Sequence, residues 1–308
     1  MSKTAWKRAG MSLTAVAVIA GVAGCGSESG TKDRSVAQVL TAAHKKTADA
    51  KSAKVDISMK GSDGTAGGEK LDMQMSGVVG WDPVLMDMTV TGMEDIADAP
   101  GKSRMVMVDN VIYVDMGAKS AKEMDGKRWM KMDFGAIAEM SGDPELQKQM
   151  TGGMEDMNQD PAQQLALLLD SPNVKKVGEE KIDGVQTQHY KGTLTFEEMM
   201  KSKLDLLEKK ERDDLLAKMK KSKMKGFETE VWVNKDDYPV RMNVTMNFPE
   251  GKGKLVTSAD YSDYGTKASV KAPPAGETAD LMELFKQLGD LGKEMKELEK
   301  LDEGSTQS

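Results

Sequence analysis

Apolar and polar residues alternate with period two along much of the chain, which predicts strands with one buried face. Residues 55–60, 71–81, 84–91, 104–109, 111–115 and 129–134 read this way, as do 174–181, 185–195, 227–234, 240–248 and 254–264. The gaps between them are short and rich in turn residues. Asp183-Gly184 is a strong two-residue hairpin signal, and Asp109-Asn110 a weaker one without the favoured glycine. The period changes to helical in a few places. Ser35 can cap a helix running to about residue 51, with Val36, Val39, Leu40 and Ala43 on its apolar face. Asp160 and Pro161 open a second helix over 161–169, carrying Leu165, Leu168 and Leu169 on one side. Residues 197–221 form a long charged helix. Residues 135–159, rich in Met and Gly, read as short helices or a flap. The expected fold is α+β: a single large antiparallel sheet of roughly ten strands, with helices packed on one face.

The first 25 residues follow a different logic. Lys3, Lys7 and Arg8 precede an uncharged, small-residue run over 11–24, too short for a stable membrane span. The run ends in Val22-Ala23-Gly24-Cys25, and the pattern resembles the bacterial lipobox. Residues 1–24 are then a signal peptide, Cys25 the site of a covalent diacylglycerol, and 25–34 a flexible tether. Two or three acyl chains exceed what stable anchoring needs. The expected location is the extracytoplasmic face of the cell membrane.

Composition narrows the chemistry further. The net charge is −7, or −10 once Lys3, Lys7 and Arg8 are removed, which argues against nucleic acid as a partner. A single Cys and two His leave no Cys-based zinc site or disulfide framework. No phosphate loop or nucleophile elbow appears, so no catalytic residue and no metal ligand is assigned. His44 reads as solvated and His189 as a half-exposed strand histidine. The 26 Met outnumber 5 Phe and 4 Trp, so flexible thioethers replace rigid rings.

Three segments carry a resemblance. Residues 174–190 (VKKVGEEKIDGVQTQHY), 231–241 (VWVNKDDYPVR) and 261–274 (YSDYGTKASVKAPP) look like hairpins and the closing strand of the actinobacterial LppX, LprA and LprG lipoproteins. The fold of that family is similar to that of LolA and LolB. The resemblance covers about residues 33–275. It implies a half-barrel whose concave face is covered by helices and encloses an acyl-chain cavity, with lipid or glycolipid as ligand and no enzymatic activity.

The methionines suit such a cavity. Met73/Met75, Met86/Met88, Met105/Met107 and Met130/Met132 each sit two apart on a strand and so share a face. A thioether wall adapts to varied apolar shapes. These eight, with Leu165 and Leu168, are the candidate lipid-cavity residues, and the alternative for them is plain sheet-to-helix core. Two other protein classes stay open. Thioethers are also soft Cu(I) ligands, and the chain could be a structural lipoprotein without ligand. The lipid-binding domain is expected over 35–275. Residues 276–308 form an amphipathic helix and tail, whose 278–301 stretch repeats Leu281, Leu284, Leu288, Leu291, Met295 and Leu298 at spacings of three and four. That stripe docks on the domain or meets an envelope partner.

Overall fold

The computed structural model describes residues 34–62, 70–93, 100–141, 161–195, 226–249 and 253–284, with 198, 286 and 287. Helix α1 spans Val36–Ala50. The Ser35 hydroxyl accepts from the Gln38 amide, while the Gln38 side chain accepts from the Ser35 amide, a reciprocal capping box. Six strands follow: β1 Ser52–Gly61, β2 Leu71–Trp81, β3 Val84–Thr91, β4 Lys102–Val108, β5 Val111–Asp115 and β6 Trp129–Met132. Short helices α2 (Gly117–Glu123) and α3 (Phe134–Ser141) flank β6. Helix α4 is Pro161–Leu169. The remaining strands are β7 Lys175–Ile182, β8 Val185–Leu194, β9 Phe227–Asn234, β10 Pro239–Asn247, β11 Lys254–Ser262 and β12 Thr278–Asp280.

All twelve strands join one open sheet, ordered β12-β6-β5-β4-β3-β2-β1-β11-β10-β9-β8-β7. Two meanders, β1–β6 and β7–β11, meet where β1 pairs with β11. Two hairpins show why their turns are tight. Asp109 and Asn110 both take positive φ, as do Asp183 and Gly184, the conformation that matches strand twist in a two-residue loop. The Asn at 110 thus does what a Gly would.

The sheet curves into a half-barrel, and helices α1 and α4 cover part of its concave face. Val39, Leu40 and Ala43 of α1 and Leu165 and Leu168 of α4 pack with Val55, Tyr190, Val231, Val233, Met242 and Ala259 of the sheet. At Gly192 on β8 an added Cβ would lie 2.7 Å from Leu168 Cδ1 and 3.0 Å from Ser171 Oγ. The missing side chain therefore lets α4 settle directly onto the strand. On the convex face, Arg104 donates to both carboxylate oxygens of Asp87, and Arg241 binds Asp260.

Three elements depart from expectation. The sheet is mixed rather than wholly antiparallel, because β12 pairs with β6 in parallel. Residues 278–280 are that edge strand, so the expected C-terminal helix does not begin at 278; helical backbone starts at 281. Phe134 opens α3 instead of closing β6, since the Asp133 carboxylate accepts from the Ala136 amide and caps a helix there. Cys25, residues 142–160, the expected charged helix over 197–221 apart from residue 198, and the expected stripe from 288 onward lie outside the described residues.

Candidate functional site

The register of β2, β3 and β4 stacks methionines across three strands. Met86 faces Met107 and Met88 faces Met105 across the β3–β4 ladder. On the other side of β3, Met86 faces Val79, Met88 faces Gly77 and Val90 faces Met75. Period-two alternation sends all of these side chains to the concave side, and Asp87 and Arg104 to the convex side.

These residues enclose a cavity of about 170 Å³. Met75, Met86, Met88, Met105 and Met107 line it with Ile57, Met59, Val79, Gly80, Trp81, Leu85 and Thr257. Met88 and Met107 are buried. Met75, Met86 and Met105 keep partial exposure. None of the lining residues is charged. The polar side-chain groups in the wall are the Thr257 hydroxyl and the Trp81 indole N–H. Trp81 is 9% exposed, and its Nε1 donates to no acceptor among the described residues.

Aromatic rings pack beside that tryptophan. Trp81 meets Tyr264 edge to face at 6.4 Å, and Tyr264 stacks on Tyr238 at 4.5 Å. The Tyr264 hydroxyl donates to the Pro239 carbonyl, and burial pushes its pKa well above the usual tyrosine value. A neutral aromatic wall thus adjoins the cavity.

The remaining candidates are placed as follows. Met73 lies opposite Met59 and continues the concave face beyond the cavity. Met132 and Met130 lie opposite Ile112 and Val114 on the same face, but two strands away from β4. Leu165 and Leu168 are fully buried in the α1–α4 core and do not line the cavity. Ile57, Met59, Val79 and Trp81 were not among the candidates, although the alternation of β1 and β2 carries all four to this face.

His189 is buried rather than half-exposed. It stacks on Trp232 at 4.2 Å on the convex side, between Glu180 at 3.3 Å and Glu230 at 3.2 Å, remote in register from the methionines. Among the described residues there is no group of three or more His, Cys, Asp or Glu placed to hold a metal, and no helix long and apolar enough to cross a membrane.

An open twelve-stranded half-barrel with helices on its concave face and an uncharged cavity in its wall defines an α+β protein with a single large sheet. Over residues 35–275 the chain matches the family described as a family of unknown function, DUF6612, and it belongs to that family. It is 30% identical over 262 residues to an uncharacterized protein from the rplA–rplJ intergenic region of Streptomyces griseus, covering 81% of this chain and 80% of that one. It is 26% identical over 236 residues to a candidate lipoprotein of Streptomyces coelicolor, covering 73% and 70%. Among solved structures it is similar to the Mycobacterium tuberculosis lipoprotein LppX, with 15% identity, a TM-score of 0.41, and coverage of 77% of this chain and all of that one.

Proposed function

We propose that this protein is an envelope lipoprotein, anchored through diacylglycerol on Cys25, that holds an acyl chain of a lipid or glycolipid in its methionine-lined cavity. The observation that carries the reading is the cavity wall: six methionines from four adjacent strands, and no charge. An apolar cavity of about 150 Å³ lined by Leu, Ile and Phe stays dry and admits benzene. A cavity of about 170 Å³ therefore suits a stretch of hydrocarbon. It is smaller than the roughly 300–1,000 Å³ typical of sites for drug-sized molecules. Thioethers supply polarizable contact that does not depend on one chain geometry. The lipobox-like Val22-Ala23-Gly24-Cys25 and the lipoprotein description of the Streptomyces coelicolor relative support the anchor. Binding rather than catalysis is the proposed activity, since the wall offers no acid, base or nucleophile beyond one hydroxyl.

Native mass spectrometry of the chain lacking residues 1–25, purified without detergent, tests this. Copurifying acyl species released on denaturation are expected. Bound copper would favour a thioether metal site, and a bare chain that takes up no added lipid would leave the methionines as core.

A further inference from the structure

The tight turns of the sheet gather at one end. By register, the 82–83, 109–110, 183–184 and 235–238 turns, the start of β1 and the end of β11 share it. The opposite end holds the longer connections, 62–70, 92–101 and 195–226. Arg34, the last residue of the expected tether and the first described one, is fixed at the tight-turn end. Its guanidinium donates to both carboxylate oxygens of Asp237 in the β9–β10 turn, with Nη1 to Oδ2 at 3.1 Å. Ser35 then caps α1 immediately. The tether thus leaves the domain at a defined point.

We infer that the tight-turn end of the half-barrel faces the bilayer that holds the anchor, and that the opposite end faces away. The inference rests on the Cys25 anchor proposed above. Eight residues lie between Cys25 and Arg34, so nine steps of chain join them. At ~3.3–3.6 Å per residue they span about 30 Å at most, even fully stretched. Strand β1 runs nine steps from Ser52 to Gly61, about 30 Å at ~3.3 Å each, and the turns and connections at the two ends add to that separation. Turning the far end to the membrane would hold Arg34 at or beyond the limit of a straightened tether. Resting the tight-turn end on the membrane needs almost none of that length.

The surface at this end fits a lipid headgroup layer. Its charges are mixed and largely paired: Lys51 with Asp82 at 2.6 Å, Lys54 with Asp263 at 2.6 Å, and Arg34 with Asp237. It therefore presents no large field of one sign to anionic lipids. The cavity also reaches toward it. Gly80, Trp81, Leu85, Met86 and Met107 sit next to the 82–83 and 109–110 turns, whereas Met59, Met75 and Thr257 lie deeper along the sheet. A chain leaving the bilayer meets the near side of the cavity first.

The full lipidated protein tests this. An acylated Cys25 leaves no other thiol, so a cysteine introduced by Asp236→Cys or Lys254→Cys is the single labelling site. Both positions are exposed, Asp236 in the β9–β10 turn and Lys254 at the far end of β11. Each variant is labelled with a fluorophore and bound to phosphatidylethanolamine–phosphatidylglycerol vesicles carrying a headgroup-nitroxide lipid. Intact mass of Cys25 and flotation with the vesicles are measured in the same samples. Several-fold stronger quenching at 236 than at 254 is expected. Acylated, floating protein with equal quenching, or stronger quenching at 254, overturns the orientation while leaving the anchor in place. Unacylated protein that stays off the vesicles overturns the anchor and the orientation with it.

Discussion

Leu168 Cδ1 lies 2.7 Å from where a Cβ on Gly192 would stand, so the seat of α4 on β8 exists because one residue lacks a side chain. Gly192→Val would push Leu168 and Ser171 away from the strand. Overpacking of this kind costs about 1–3 kcal/mol. Urea unfolding is expected to show a lower midpoint with an unchanged slope; an unchanged midpoint would mean that α4 adjusts freely.

Met88 separates a cavity from a core. Met88→Leu conserves volume and should cost less than about 1.5 kcal/mol. Met88→Trp fills the space beside Met105 and Gly77. If that space holds lipid, bound acyl species fall sharply while the melting temperature moves little. A large loss of stability with undiminished lipid binding would identify the site as packed core.

The unpaired Trp81 indole makes a two-sided forecast. Trp81→Phe removes a buried donor that has no acceptor among the described residues. Leaving such a group unsatisfied costs ~1–3 kcal/mol, so the unliganded protein should gain stability. If an ester carbonyl of the ligand accepts this N–H, affinity for acyl esters should fall while affinity for plain alkanes holds. Titration with both ligand types reads the difference, and parallel losses would count against the hydrogen bond.

Alkaline pH should weaken the fold through Tyr190. Burial pushes its phenol up to about 12, although the nearby Arg34 pulls the other way. An exposed tyrosine titrates near ~10. The native state therefore favours the neutral phenol, whose hydroxyl donates to Gln188 Oε1 at 2.6 Å. This contribution is fully present below pH ~10 and is lost as pH climbs toward 12. In Tyr190→Phe the fall in stability across that window should be shallower. Tyr264, displaced in the same direction, keeps it from vanishing.

A chain ending at Ala275 was expected to retain the whole sheet. Strand β12 and the buried Ala279 and Met282 change that expectation. Removing them exposes the edge of β6 and breaks the Lys131–Asp280 ion pair. Losing a buried methionine side chain costs ~1.5–3 kcal/mol, so a folded but less stable domain is expected. Thermal unfolding monitored by circular dichroism checks this.

Local chemistry made much of this legible. Ser35, Asp183-Gly184 and the Met-x-Met spacings each act within a few residues of themselves, and the structure places caps, a hairpin and methionine rows at those positions. What escaped depends on partners distant in sequence. The leucine stripe of 161–169 announces burial but not its counterpart, so Leu165 and Leu168 were grouped with a cavity when they face α1. Thr278–Asp280 is too short to show alternation and lies at the start of a helical stripe, so its pairing with β6 had no local sign. Asp133 was a readable signal passed over: an aspartate three residues before an amide it can cap marks a helix start.

Strand β7 has a consequence for crowding. An open sheet exposes a row of backbone donors and acceptors at its rim, and molecules confined to a membrane surface meet at high local concentration. The rim strand here is a poor template for a neighbour. Lys175, Lys176, Glu179, Glu180 and Lys181 crowd its eight residues, and its register slips between Lys176 and Gly178. Charge and a bulge are ways in which natural sheets resist edge-to-edge growth. A densely anchored population should therefore remain separate molecules at this rim rather than extending one another's sheets.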